Sequence, residues 1–168
     1  MSEDNIGIFA NTVTAQHDPI RAALIGQGLT VHDHYLSDQP DSAGLYLGPQ
    51  FQIRSCELIY RLTDAGDLLL VFYRRVEHTP SLRNPFADLI WFLQLASQPR
   101  FGLKRVLGYI STFGHRHENG LSEERLVRFY QRFFQADWVT YDQHDWLCQD
   151  IQALRTRLGQ IAHLATRL

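Results

Sequence analysis

Apolar and polar residues alternate with distinct periods along the chain, and these periods predict the order of its secondary-structure elements. The first is a helix over residues 19–27, since Asp18 is a favourable N-cap and Pro19 suits the first helical turn. Residues 38–44 have the composition of a loop. Residues 50–63 and 67–76 are rich in Ile, Leu, Tyr and Phe and predict two strands, joined in a hairpin by the turn Asp64-Ala65-Gly66.

The second half of the chain alternates helices with strands. Asn84-Pro85 opens a predicted helix that runs to residue 98, and residues 104–112 predict a third strand. After a polar loop over residues 114–120, Ser122 caps another helix that extends to residue 135. Trp138, Val139 and Tyr141 suggest a short strand, and helical periodicity is expected from Asp145 onward.

This order predicts a two-layer α+β fold, because helices that follow a small sheet pack their apolar faces against it. The sheet is expected to be largely antiparallel or mixed, with about four helices and an amphipathic helix at the C-terminus. Residues 17–168 are predicted to form a single domain, and residues 1–16, which show no clear period, a flexible arm.

The helix that starts at Asn84 is apolar on two sides. One face is the expected core stripe, and the opposite face carries Trp91, Phe92 and Leu95. Such a helix is either sandwiched inside the domain or presents its second face to a partner protein. Both interpretations remain open from the sequence, so these three residues are candidate binding residues.

Two further helices carry candidate binding surfaces. Arg125, Arg128 and Arg132 form a basic stripe on the Ser122 helix, which is either a solvated face or a site for an acidic partner. In the C-terminal helix an apolar heptad seam either docks on the sheet or pairs with a second copy or a helical partner. The seam consists of Leu147, Ile151, Leu154, Leu158, Ile161, Ala165 and Leu168, of which Leu154, Leu158 and Ile161 are the candidate binding residues.

Residue types that carry chemistry are present without a recognisable catalytic pattern. Two His-x-His pairs, His32/His34 and His115/His117, are candidate metal ligands, but no further ligand stands at a characteristic spacing. The two cysteines share no motif, and nucleophile-elbow, phosphate-loop and zinc-protease motifs are absent. We therefore expect no cofactor and no enzyme activity.

Charge and hydropathy indicate which kind of partner and which cellular location to expect. The net charge is −2, which combines −5 over residues 1–50, +4 over residues 51–135 and −1 over residues 136–168. Nucleic-acid binding is not expected from a nearly neutral domain, whereas this polarity favours protein partners. The longest apolar run, residues 68–73, is too short to cross a membrane, and the acidic N-terminus does not resemble a secretory signal. A cytoplasmic location is expected.

Short motifs in the middle of the chain carry a family resemblance. The most specific are the helix starts Asn84-Pro85-Phe86-Ala87 and Leu121-Ser122, in this order. The others are Gly28-Leu29, Phe51-Gln52, Arg75-Val76-Glu77, Leu82-Arg83, Arg125-Leu126 and Phe129-Tyr130. Together they resemble the LcrR family, the low-calcium-response R proteins encoded beside the export-gate gene in type III secretion operons of Gram-negative bacteria. The resemblance covers half to two thirds of the chain and fades after Ala136.

The resemblance implies a small cytoplasmic protein that regulates type III secretion, in its type member the response to calcium. It implies no catalytic residue. We expect a non-enzymatic regulator that binds export-gate or gatekeeper components or an effector, with a homodimer through the C-terminal helix as one arrangement. The alternatives are a secretion chaperone for an effector or translocator, and a metal-dependent enzyme that uses the His-x-His pairs.

Overall fold

The computed structural model describes residues 18–36, 45–54, 56–75, 86–110 and 123–165. Four helices and seven strands form in these residues. In chain order they are α1 (Pro19–Gly26), β1 (Val31–Leu36), β2 (Leu45–Ile53), β3 (Cys56–Leu62), β4 (Asp67–Arg75), α2 (Ala87–Ala96), β5 (Arg105–Tyr109), α3 (Glu123–Phe133), β6 (Asp137–Tyr141), β7 (His144–Asp150) and α4 (Ile151–Ala165).

The strands form one mixed sheet in the order β1-β2-β3-β4-β5-β7-β6. Neighbouring strands are antiparallel except for β4 and β5, which are parallel because the chain crosses over between them through α2. The prediction of an α+β fold with a largely antiparallel or mixed sheet is confirmed.

The sheet is apolar on both faces. The main cluster lies on one face and contains the buried residues of all four described helices. The second cluster lies on the other face and consists of Leu47, Ile59, Leu69, Val71, Leu107 and Trp146. Central strands that are buried on both sides lose the usual alternation of apolar and polar residues. This explains why all seven residues of β3 are buried and why β4 contains the run Leu68-Leu69-Leu70-Val71.

Gly48 allows β2 to approach β3 closely. Its φ is +134°, and a Cβ atom at this position would lie 2.1 Å from the carbonyl oxygen of Tyr60. It also pairs with His34 of β1, and the register of these two strands shifts immediately afterwards. Only glycine fits this bulged position without displacing the backbone of β3.

The first helix begins as predicted. The Asp18 carboxylate accepts a hydrogen bond from the backbone N–H of Arg21 at 2.9 Å, and proline occupies the first turn. The predicted hairpin turn at residues 64–66 is also confirmed, since it joins β3 to β4. Asn84 and Ser122, the predicted caps of α2 and α3, lie outside the described residues, as do the predicted loops over residues 38–44 and 114–120.

Three predictions of local structure were wrong. The strand predicted over residues 50–63 is two strands, because the chain turns at Arg54, whose φ is +52°. Strand β1 was missed, since the three consecutive polar residues His32-Asp33-His34 interrupt the alternation of apolar and polar residues that indicates a strand. Helical periodicity was expected from Asp145, but residues 144–150 form β7, and the last helix begins at Ile151. Pairing of β7 with both β5 and β6 outweighs the local pattern.

Candidate functional site

Helix α3 is held against the sheet by aromatic contacts. Gly108 of β5 provides space for the ring of Tyr130, since a Cβ atom at position 108 would lie 2.8 Å from two of its ring carbons. The ring of Phe129 stacks on that of Phe86, with centroids 3.9 Å apart and planes inclined by 8°. The side chains of Phe129 and Tyr130, which both belong to α3, are buried in the main cluster. The helix is therefore fixed relative to the sheet.

A shallow groove of about 590 Å³ lies between α3 and strand β6. Its apolar lining comes from Ile110, Val127 and Trp138. Trp138 is 49% exposed, which is unusual for so large an apolar side chain. The charged lining comes from Arg128 and Arg132 and from the carboxylates of Glu123, Glu124 and Asp145. We call this site the α3/β6 groove.

The charges of the α3/β6 groove are separated along its length. Glu123 and Glu124 lie in the first turn of α3 and Arg132 in the last turn, an arrangement that also suits the helix dipole. Helix α3 ends at Phe133 and β6 begins at Asp137, so the basic end of the groove lies beside the start of β6. Arg132 lies eight positions after Glu124, which corresponds to about 12 Å along the helix axis. The groove thus has an acidic end and a basic end, and between them lie apolar side chains together with the guanidinium group of Arg128.

Strand β6 forms one edge of the sheet. In the described part of the chain it pairs with β7 alone, and the register runs without a shift from Asp137 to Tyr141. Its sequence contains neither proline nor lysine. Edge strands are commonly protected from pairing by these residues or by bulges. The backbone groups of β6 that face away from β7 therefore lie at the sheet edge next to the charged and apolar lining of the groove.

The candidate residues of α2 lie in the core. Phe92 has no exposed surface, and its ring packs against the rings of Phe51 and Tyr60, with centroids 5.1 and 5.4 Å away. Leu95 is buried as well, and Trp91 is partly buried against the main cluster. Helix α2 is thus sandwiched within the domain. The alternative that Phe92 and Leu95 form an exposed binding face is wrong, because both side chains are buried in the main cluster.

The arginine stripe is divided by the structure. Arg128 and Arg132 line the α3/β6 groove, whereas Arg125 is exposed on the same helix outside it.

The seam of α4 docks on the sheet, since Leu154 and Leu158 are buried in the main cluster and Ile161 packs at its margin. Its first residue, Leu147, belongs to β7. Leu154 and Leu158 therefore face the protein's own core, which is the first of the two alternatives left open by the sequence.

Potential metal ligands are dispersed. His32 is exposed and His34 partly buried on β1, while His115 and His117 lie outside the described residues. Among the residues that the structure describes, no three His, Cys, Asp or Glu side chains come together in a way that could hold a metal ion. Cys56 is buried and Cys148 partly buried, and burial raises the pKa of the Cys148 thiol.

Sequence reasoning identified only Arg128 and Arg132 among the residues of the groove, and Trp138 is the most exposed apolar residue that it missed. Its type and position predicted a strand, and that prediction is confirmed by β6. The exposure of Trp138 follows from the sheet order, which places β6 at an edge, and from the position of α3 beside it. The only local signal was a tryptophan close in sequence to an arginine-bearing helix.

Comparison with protein-family models matches residues 17–155 to LcrR, a type III secretion system regulator family. The chain belongs to the LcrR family of type III secretion system regulators. The match extends beyond Ala136, where the resemblance was expected to fade, and includes β6, β7 and the start of α4. The α3/β6 groove therefore lies inside the family region. Neither curated proteins nor solved structures give a match.

Membership of the LcrR family supports a role in regulating type III secretion. None of the described helices is long and apolar enough to span a membrane.

Proposed function

We propose that this LcrR-family protein regulates type III secretion in the cytoplasm by binding a secretion protein directly, without catalysis, and that the partner contacts the α3/β6 groove. The observation that carries the proposal is the exposure of Trp138 beside Arg128 and Arg132. Tryptophan and arginine are enriched among residues that dominate binding energy at protein interfaces.

Two further features support binding at this site. The aromatic contacts of α3 fix the helix that bears the arginines before a partner arrives, so its backbone loses little entropy on association. The groove lining also mixes both signs of charge with apolar surface, and complementary charges select the partner and its orientation. The other arginine-bearing or apolar candidates either lie outside this groove or are buried in the core.

Affinity capture from cells with an active type III secretion system tests this proposal. The tagged full chain is compared with the double variant Arg128→Glu/Arg132→Glu and with the control Arg125→Glu, which reverses a charge on the same helix outside the groove. We expect the wild type and the control to recover an export-gate or gatekeeper protein, and the double variant to recover about tenfold less.

Equal recovery by all three proteins would show that the groove is not the binding site. Recovery of a single effector, with no export-gate or gatekeeper protein, would contradict the regulator and support a secretion chaperone instead. The melting temperature of each variant shows whether a loss of capture arises from unfolding, which is not expected because Arg128 and Arg132 are exposed.

A further inference from the structure

We propose that the α3/β6 groove recognises an extended segment of its partner, which pairs antiparallel with β6 and presents a basic, an apolar and an acidic side chain on alternate residues. This inference rests on the proposed function and adds the conformation and chemistry of the bound segment.

The backbone of β6 provides the first part of this recognition. Edge strands present a row of N–H and C=O groups that can pair with a further strand, and such pairing gives affinity while adjacent pockets give specificity. Strand β6 is five residues long, and its ladder with β7 is regular throughout. It therefore offers about 17 Å of continuous edge to a partner strand.

The spacing of the groove charges matches an extended chain. Residues i, i+2 and i+4 of a strand lie on the same side and span about 13 Å. The acidic and basic ends of the groove, represented by Glu124 and Arg132, are about 12 Å apart along α3. An apolar residue at position i+2 then lies near Trp138 and Val127, the apolar side chains of the groove.

Charge complementarity sets the order of these residues in the partner. Strand β6 runs from the basic end of the groove, near Arg132, toward the acidic end formed by Glu123, Glu124 and Asp145. An antiparallel segment enters at the acidic end, so its basic residue comes first and its acidic residue last. Antiparallel pairing is slightly more stable per residue than parallel pairing.

A second copy of the chain fits the groove less well. The strand of a second copy that would pair with β6 in this way is β6 itself, Asp137–Tyr141, and it contains no basic residue. It provides no basic side chain for the acidic end of the groove. The charge pattern therefore favours a different protein as the source of the segment.

A peptide titration tests the proposal. The capped peptide Thr-Arg-Thr-Leu-Thr-Glu-Thr is added to the full chain labelled with 15N, and amide shifts are followed by NMR. One control peptide reverses the order to Thr-Glu-Thr-Leu-Thr-Arg-Thr. The other keeps the first sequence but carries N-methyl groups on alternate backbone amides that would pair with β6, so its side chains are retained while its ladder bonds are lost.

We expect shifts on β6 and α3 with the first peptide, and affinity lower by about tenfold for each control peptide. The variant Trp138→Lys should weaken binding by a similar factor, because it replaces the large apolar side chain that faces the leucine of the peptide by a charged one, whereas Tyr35→Lys on β1 should not. Absence of binding, equal affinity for the three peptides, or shifts confined to other strands would overturn the proposal.

The two proposals fail separately. If capture from cells depends on Arg128 and Arg132 but the peptide does not bind β6, the strand-pairing proposal fails and the proposed function stands. If the peptide binds β6 but capture does not depend on the groove, the proposed function fails instead.

Discussion

The two edges of the sheet differ in how they are protected. At β1 the register against β2 shifts between His34 and Tyr35, which marks a bulge. Arg21 of α1 donates hydrogen bonds to the carboxylate of Asp33 at 2.8 Å and to the carbonyl oxygen of Val31 at 3.4 Å. At β6 the ladder is regular, and the indole N–H of Trp146 donates a hydrogen bond to the carbonyl oxygen of Tyr141 at 3.1 Å from the other strand of the same hairpin. Among the described residues, the β1 edge is irregular and tied to a helix, whereas the β6 edge is regular and pairs only with β7.

An exposed aromatic residue lies at each edge, but in different surroundings. Tyr35 on β1 is 53% exposed and packs on Tyr46 of the neighbouring strand, with ring centroids 5.2 Å apart. Trp138 on β6 lines a groove that also contains two arginines. Similar exposure therefore has a different meaning at the two edges, since only Trp138 combines an open backbone with charged groups in reach. The surroundings of an exposed aromatic residue are therefore more informative about binding than its exposed fraction.

The largest expected effect is on the stability of the β1 edge. Gly48→Ala should lower the free energy of unfolding by about 3 kcal/mol, because the new Cβ atom collides with the Tyr60 carbonyl and φ is positive. Gly159→Ala is the control, since that glycine lies in α4 with no atom near its Cβ position, and it should stabilise the protein by up to about 1 kcal/mol. Chemical denaturation measures both, and a Gly48→Ala protein as stable as the wild type would refute the bulge assignment.

The next effect concerns binding and compares the two aromatic residues directly. Trp138→Thr should reduce capture of the secretion partner by about tenfold, because an exposed tryptophan in an interface contributes a large apolar contact. Tyr35→Thr removes a similarly exposed ring from the other edge and should leave capture unchanged. Quantitative affinity capture with matched protein amounts measures both. An equal loss in the two variants would show that the edges do not differ in function.

A smaller effect is expected when a lysine, which commonly protects edge strands from pairing, is placed on β6. Thr140→Lys places a lysine on the edge strand, where Thr140 is exposed, and should weaken capture by about threefold through desolvation of the new charge. Thr140→Val keeps the β-branched shape and should retain full capture. Both variants should unfold within about 0.5 kcal/mol of the wild type, as is usual for surface changes. Stronger capture by Thr140→Lys than by the wild type would contradict pairing at β6.

The smallest effect is a pH dependence at the base of α1. Burial raises the pKa of the Asp18 carboxyl, and hydrogen bonds from the Arg21 N–H and the Tyr60 hydroxyl oppose this only in part. A carboxyl with a raised pKa in the folded state binds a proton more readily there than in the unfolded chain, so its contribution to stability falls as pH rises. Asp18→Asn removes this dependence and retains a good N-cap. Its stability relative to the wild type should therefore increase from pH 4 to pH 7 in chemical denaturation, and a relative decrease would contradict the assignment.

Local residue chemistry predicted the elements that depend on near neighbours. Asp18 and Pro19 located the start of α1, and the turn at Asp64-Ala65-Gly66 located the hairpin of β3 and β4. The strand character of Trp138 was also correct. In each case a cap, a turn or a β-favouring side chain determines the local backbone, and these preferences are visible without the rest of the fold.

Elements that depend on distant pairing were not predicted. Strand β1 is polar at His32, Asp33 and His34 and forms because β2 pairs with it. Strand β7 resembled the start of a helix, and it forms between β5 and β6. The α3/β6 groove has the same origin, since the sheet order brings Trp138 beside Arg128 and Arg132. Such sites are defined by topology, which a single sequence does not reveal.

The most direct test of strand pairing at β6 is amide hydrogen exchange of the full chain, alone and in complex with the partner recovered by capture. We expect the amides of β6 (Asp137–Tyr141) that point away from β7 to become protected in the complex, because they gain a neighbouring strand, whereas the amides of β1 (Val31–Leu36) keep their exchange rates. Protection of β1 with unchanged exchange at β6 would contradict it.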